Sequence, residues 1–317
     1  MNAIPMNESL QRRPNVLGAH SLDCFTLRVP DLAKADSFYQ TFGLETKHDS
    51  IGMGLFTDGS THRWVNVVEG HDKKLNHLTF GIFEDDLASF HKKLKDRGIE
   101  LLPVTDHNSN GLWFHDPDGI RIELRVTEKS SPVLKAAFAV PSAPAGVQGA
   151  FARSTAPRTR PRRLGHIAVF TSDVGRSIRF YEDIVGLRLS DRSGEGVAFL
   201  HGPHGSDHHM LALVKSSGPG LHHCSWEVSS VDQIGLGAAT MARNGFVAGW
   251  GMGRHVLGSN YFHYVRDPWG SYSEYSADMD YIPVDCDWQA GDHDMEDSMN
   301  LWGPNPPADF VTNFEKL

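Results

Sequence analysis

The sequence predicts an α+β protein of two tandem modules, each pairing strand–helix–strand units whose mixed sheets curl around a pocket. Three observations predict it. The chain repeats itself: FYQTFGL at 38–44 is answered by FYEDIVGL at 180–187, LNHLTFGI at 75–82 by LHHCSWEV at 221–228, and DPDGIRIEL at 116–124 by DPWGSYSEY at 267–275, in the same order. The chain, at 317 residues, exceeds one ordinary domain. Its composition, 40% apolar and 22% charged, is that of a globular protein and excludes a disordered or fibrous one.

Residues 1–19 read as an extension without the apolar stretch of a signal peptide, and no run approaches a membrane span, so a cytoplasmic location without membrane contact is expected. The first module, 20–128, opens with an alternating strand at 22–29 and a helix at 32–42. Short strands divided by glycine, asparagine and proline turns follow, with a second helix at 85–97. Residues 129–163 are rich in Ser, Pro, Ala and Arg and read as a linker. Its Arg153, Arg158, Arg160, Arg162 and Arg163 are expected to be solvated rather than to form an anion site. The second module, 164–280, repeats the plan with a strand at 164–170 and helices at 174–185 and 231–244. The Asp-, Trp- and Pro-rich tail, 281–317, is expected to wrap over it as a lid. Units of this kind cover one sheet face with helices and leave the other to curl around a site.

A net charge of −9 gives no footprint for phosphate, so nucleic acid is not an expected partner. Three widely spaced cysteines exclude a disulfide framework and a thiolate zinc site. The eighteen histidines, clustered in the second half, point instead to imidazole as ligand or proton carrier.

When the repeats are superposed, equivalent strand positions carry Cys24 and His166, His77 and His223, and Glu123 and Glu274. Only the second repeat offers two imidazoles and a carboxylate. Side chains alternate along a strand, so three strands can each aim one polar group inward. Two histidines and one carboxylate on one face of a metal, with the other positions open, is the ligand set of non-haem iron(II) oxygenases. Alone, His166 reads as a core histidine and Glu274 as a partner for Arg266. Their coincidence at repeat-related positions of an apolar module, where unpaired polar groups are costly, favours a metal.

The second repeat resembles the catalytic module of the type I extradiol ring-cleavage dioxygenases of the vicinal oxygen chelate superfamily. The run GRHVLGSNYFHYVRDPWGSYSE at 253–274 carries the resemblance, which extends over about 20–280. The tail's NLWGPNPP is similar to that of the homoprotocatechuate 2,3-dioxygenase branch. The resemblance implies a fold of paired βαβββ units, ligands His166, His223 (rather than its neighbour His222) and Glu274, and iron(II) or manganese(II). It further implies an acid–base histidine at His209, in SDHHMLAL, with His255 and Tyr264 directing the chelated oxygens of a catechol. At an ordinary pKa near 6.5, His209 would exchange a proton around neutrality.

The pattern breaks where that branch holds a substrate carboxylate with arginines. The tail has Met299 before Asn300-Leu301-Trp302-Gly303, and the other position is Trp250. Both are read as apolar substrate-binding residues, and the expected substrate is a catechol or trihydroxybenzene with a neutral substituent, cleaved with O₂ by a homo-oligomer. Two competing readings share the repeated unit: a glyoxalase- or epimerase-like metalloenzyme that uses no O₂, and a bleomycin-resistance-type protein that binds an aromatic without catalysis. The first module, with Cys24 in place of the leading histidine, is expected to hold no catalytic metal.

Overall fold

The computed structural model describes residues 12–104, 110–140 and 142–315; residues 1–11 of the amino-terminal extension lie outside it. The repeat is visible in its helix ends. Strand β1 (Ser21–Val29) leads into α1 (Leu32–Phe42), whose N-cap Asp31 accepts from the Lys34 amide. In the second repeat β8 (Arg163–Thr171) leads into α3 (Val174–Phe180), whose N-cap Asp173 accepts from the Arg176 amide. Each cap fills one of the backbone donors that a helix start leaves open. Both helical segments stop at a glycine in the left-handed region, Gly43 at φ 110° and Gly186 at φ 78°, where a Cβ is disfavoured. The single helix expected over 174–185 instead widens to a π-turn at Tyr181–Val185. Tyr181 there is buried, and its hydroxyl donates to Asp116 of the first module at 3.1 Å.

The remaining strands of the first module are β2 (Glu45–His48), β3 (Met53–Phe56), β4 (Val65–Glu69), β5 (Lys74–Ile82), β6 (Leu112–His115) and β7 (Arg121–Val126), with α2 (Leu87–Asp96) after β5. They form one sheet in the order β2-β3-β4-β1-β5-β7-β6. The second module continues with β9 (Arg188–Ser193), β10 (Val197–His201), β11 (Ser206–Asp207), β12 (Leu211–Lys215), β13 (Gly220–Glu227), α4 (Val231–Arg243), β14 (Gly249–His255), β15 (Tyr261–Arg266) and β16 (Tyr272–Ala277). The tail adds β17 (Tyr281–Ile282), β18 (Gly291–Asp292) and β19 (Asn300–Trp302). The larger sheet runs β18-β9-β10-β12-β8-β13-β16-β15-β14-β19, so two βαβββ units meet along the antiparallel β8–β13 pair and the tail closes both edges. This is the α+β fold of curled mixed sheets that the sequence predicts.

A continuous apolar core runs through both modules. Where they meet, Phe42 stacks on Tyr275 with ring centroids 3.8 Å apart, and the Tyr275 hydroxyl donates to the Phe42 carbonyl at 2.7 Å. In the segment between the modules Arg153, Arg158, Arg160 and Arg162 are exposed, as expected of solvated arginines, and Arg163 departs from that expectation. Arg163 is half-buried between Asp207 and Glu227, at 2.7 and 2.5 Å, while the exposed Arg158 and Arg160 reach the Gln40 carbonyl and Asp58. A desolvated guanidinium needs such partners.

Ser230 is buried and caps α4 by accepting from the Gln233 amide. Ser230→Ala should lower unfolding stability by about 1 kcal/mol, read as a lower midpoint at unchanged slope in urea denaturation.

Candidate metal centre

Three adjacent strands position the predicted ligands. The β8–β13 register sets His166 opposite Ser225, and the β13–β16 register sets Ser225 opposite Glu274, so His166 and Glu274 flank one point of β13. Strict alternation would turn His222 and His223 to opposite faces. The β13 register slips between Leu221 and His223, however, and this bulge brings the two rings to 4.9 Å with their Nδ1 atoms 2.6 Å apart. His223 thereby presents Nε2 toward His166 and Glu274 while His222 meets its other ring nitrogen. An outer partner of this kind orients a ligating imidazole.

His166 Nε2 lies 3.0 Å from His223 Nε2 and 3.2 Å from Glu274 Oε2, which is 3.8 Å from His223 Nε2. All three residues are buried, and their ligand atoms lie within 4.8 Å of one another. Glu274 Oε2 is buried without a hydrogen bond, while Oε1 accepts from Asn260 Nδ2 at 3.2 Å. Burial by itself raises the Glu274 carboxyl; the neighbouring His166 and the charge of His255 outweigh it and hold the group below its ordinary value. Burial pushes His223 well below the ordinary imidazole value, with His222 and His166 adding to the effect. An ionised carboxylate oxygen and two imidazole nitrogens converging on one point, with an orphaned lone pair among them, fit a divalent cation of the iron or manganese type.

The other predicted residues surround this point on a cavity of about 640 Å³. His209 packs its ring 4.2 Å from that of His166. Its ordinary pKa, expected from the sequence, is corrected: burial, then His166 and His208, drive it well below 6.5. His255 Nδ1 donates to the Met299 carbonyl at 2.7 Å, which leaves Nε2 to accept from the Tyr264 hydroxyl at 3.0 Å. Trp250 lies nearly parallel to Tyr264 at 5.4 Å, with its indole N–H on the Pro304 carbonyl. Met299 and Trp250 both line the cavity.

Sequence reasoning missed Asn260, although it lies inside the quoted run, and the wall residues Phe199 and Phe310. Alternating apolar residues on β10 and an aromatic after the tail's prolines were the available signals. The tail supplies Met295, Met299, Pro307 and Phe310 to the cavity wall, and beyond them Glu315 is buried against Lys73 at 2.6 Å.

In the first module the same registers join Cys24 to Thr79 and Thr79 to Glu123. A guanidinium sits beside them: Arg125 pairs with Asp23, lies 3.7 Å from Glu123 Oε2 and donates to Cys24 Sγ at 3.4 Å. His77 Nε2 lies 3.2 Å from Thr26 Oγ1.

Comparison with known proteins accords with this geometry. The family model of the Glyoxalase/Bleomycin resistance protein/Dioxygenase superfamily matches residues 21–124 and 163–275. Metapyrocatechase 2 of Cupriavidus necator is 47% identical over 297 residues, covering 93% of this chain and 92% of that protein. Among solved structures, the Mn(II)-bound glyoxalase from Novosphingobium aromaticivorans aligns at TM-score 0.75 and 22% identity, over 93% of this chain and 95% of that one. The 2,2',3-trihydroxybiphenyl 1,2-dioxygenase of Sphingomonas wittichii aligns at TM-score 0.71 and 23% identity, over 91% and 100%. These two likenesses speak for the fold. With the relative at nearly half identity, the chain belongs to the Glyoxalase/Bleomycin resistance protein/Dioxygenase superfamily and, within it, to the extradiol dioxygenases.

Proposed function

We propose that this extradiol dioxygenase holds iron(II), with manganese(II) as the alternative, on His166, His223 and Glu274, and opens the ring of a catechol with O₂. Its substrate carries a neutral ring substituent. The observation that carries the reading is the buried convergence of His166 Nε2, His223 Nε2 and the orphaned Glu274 Oε2 on a cavity wide enough for an aromatic ring.

The chemistry a bound iron(II) supplies is Lewis acidity toward the two catechol oxygens and a template that joins them to O₂. The protein supplies orientation and proton handling. With Nδ1–H committed to the Met299 carbonyl, His255 takes the Tyr264 hydroxyl hydrogen on Nε2, so the phenol oxygen is left to accept from one substrate hydroxyl. Burial keeps that phenol neutral, with the Glu274 charge adding to the effect. On the side of His166, neutral His209 is placed to take the proton of a substrate hydroxyl and return it during ring opening.

The walls argue for an uncharged substituent. Trp250, Met299, Phe199, Val214 and Phe310 line the cavity, and among the described residues its lining includes no arginine. Lys215, at the exposed rim, donates to the Ser172 carbonyl. A substrate carboxylate would forgo an arginine's charge-assisted contact of roughly 1.5–3 kcal/mol. Catechol and 3-methylcatechol should therefore exceed homoprotocatechuate in kcat/KM by about tenfold or more, the equivalent of 1.4 kcal/mol. A preference for homoprotocatechuate in steady-state rates overturns the substrate assignment. Oxygen uptake with formation of a yellow ring-fission product tests the reaction itself, and its absence with iron(II) supplied would favour the glyoxalase-like or binding-protein reading.

The same proposal treats the first module as non-catalytic, since Arg125 supplies the positive charge beside Glu123 and Asp23. It places the protein in the cytoplasm as a homo-oligomer. Among the described residues no helix is long and apolar enough to cross a membrane.

A further inference from the structure

His209 does not stand alone. Its Nδ1 meets the Nδ1 of His208 at 3.1 Å, and His208 Nε2 meets Asp191 Oδ2 at 2.8 Å. The other oxygen of Asp191 receives the Gly291 amide at 2.8 Å and His293 Nε2 at 2.9 Å, both from the tail. His208 is fully buried and held at both ends of its backbone: its amide donates to the Asp280 carbonyl and its carbonyl accepts from Ser190 Oγ. Burial raises the Asp191 carboxyl, but hydrogen bonds from His208, His293 and Gly291 outweigh it and hold the group below its ordinary value.

An ionised carboxylate only accepts, so His208 carries its hydrogen on Nε2. A His208 that carries only that hydrogen accepts at Nδ1, and His209 donates to it from Nδ1. The remaining nitrogen of His209, Nε2, is left without a hydrogen on a side chain that lines the cavity. We infer that Asp191, acting through His208, is a positioning residue that fixes His209 in the one tautomer able to take a proton from the substrate. The hydrogen bond made by one ring nitrogen decides which form the other adopts, and a buried carboxylate setting an imidazole's tautomer is an established device of nucleophilic enzymes. The inference rests on the acid–base role proposed above for His209.

The test uses the iron-loaded enzyme with catechol. Asp191→Asn keeps the shape but offers His208 an amide that can donate, which permits the opposite order of protons along the chain. It should lower kcat about 10–100-fold, the usual effect of losing an outer hydrogen-bond partner. KM and iron content should stay within twofold. In a His209→Ala background, the same substitution should change kcat by less than twofold, because there is no tautomer left to set. His208→Phe, which keeps a buried ring and removes both nitrogens, should show the same background dependence and serves if Asp191→Asn does not fold. Unchanged kcat in the single variants, or an equal loss in both backgrounds, overturns the inference and leaves the role of His209 standing. Unchanged kcat in His209→Ala itself overturns that role, and the inference with it.

Discussion

Glu274→Gln is expected to release the metal and reduce ring cleavage to background. The substitution is nearly isosteric, so the apolar packing around β16 survives, but it removes the single negative charge among the three converging groups. The carboxylate is the group for which a cation is most needed, because Oε2 is buried and has no hydrogen bond. A carboxamide there places either a weaker neutral acceptor or an N–H against His166 and His223, and neither holds a divalent ion in competition with water. Iron content after anaerobic loading and desalting should fall from about one equivalent to under a tenth, and kcat by at least about 10³-fold, since the proposed reaction is routed through that site. Circular dichroism should be unchanged. A variant that retains one equivalent of iron would show that the metal sits elsewhere.

That triad was legible in the sequence because the repeat fixed the strand positions and side-chain alternation aimed one group from each of β8, β13 and β16. Pairing then followed from topology: Cys24–Thr79–Glu123 and His166–Ser225–Glu274 occupy the same registers in the two sheets. What was hidden depends on departures from regularity or on contacts between distant segments. The contact of His222 with His223 needs the bulge after Leu221, and a two-residue period cannot reveal it. Asp191 meets His293 only because β18 of the tail pairs with β9, a junction spanning 100 residues. Arg163 looked like part of a solvated basic run because its partners, Asp207 and Glu227, are more than forty residues away. The perturbed titration of His209 was equally invisible, since desolvation is a property of the folded surroundings and not of the SDHHMLAL motif.

His209→Ala is expected to leave the metal bound and slow turnover by about 10²–10⁴, the span of a lost general acid–base group. His209 is not among the three converging ligands, and removing its ring leaves His222 on His223 and Asn260 on Glu274. The sign of its pKa shift sets the order of events. Burial beside His166 and His208 disfavours the imidazolium, so in the proposed role the resting side chain is the base, and it becomes the acid only after taking a proton from substrate. The loss should therefore appear in kcat, with KM for catechol nearly preserved, because the interaction is made in the transition state and not in binding. Added imidazole should restore part of the rate by entering the space the ring vacates. Loss of iron in this variant, or unchanged turnover at saturating catechol, would remove His209 from the chemistry and return it to the cavity wall, where it packs against Phe199 at 4.8 Å.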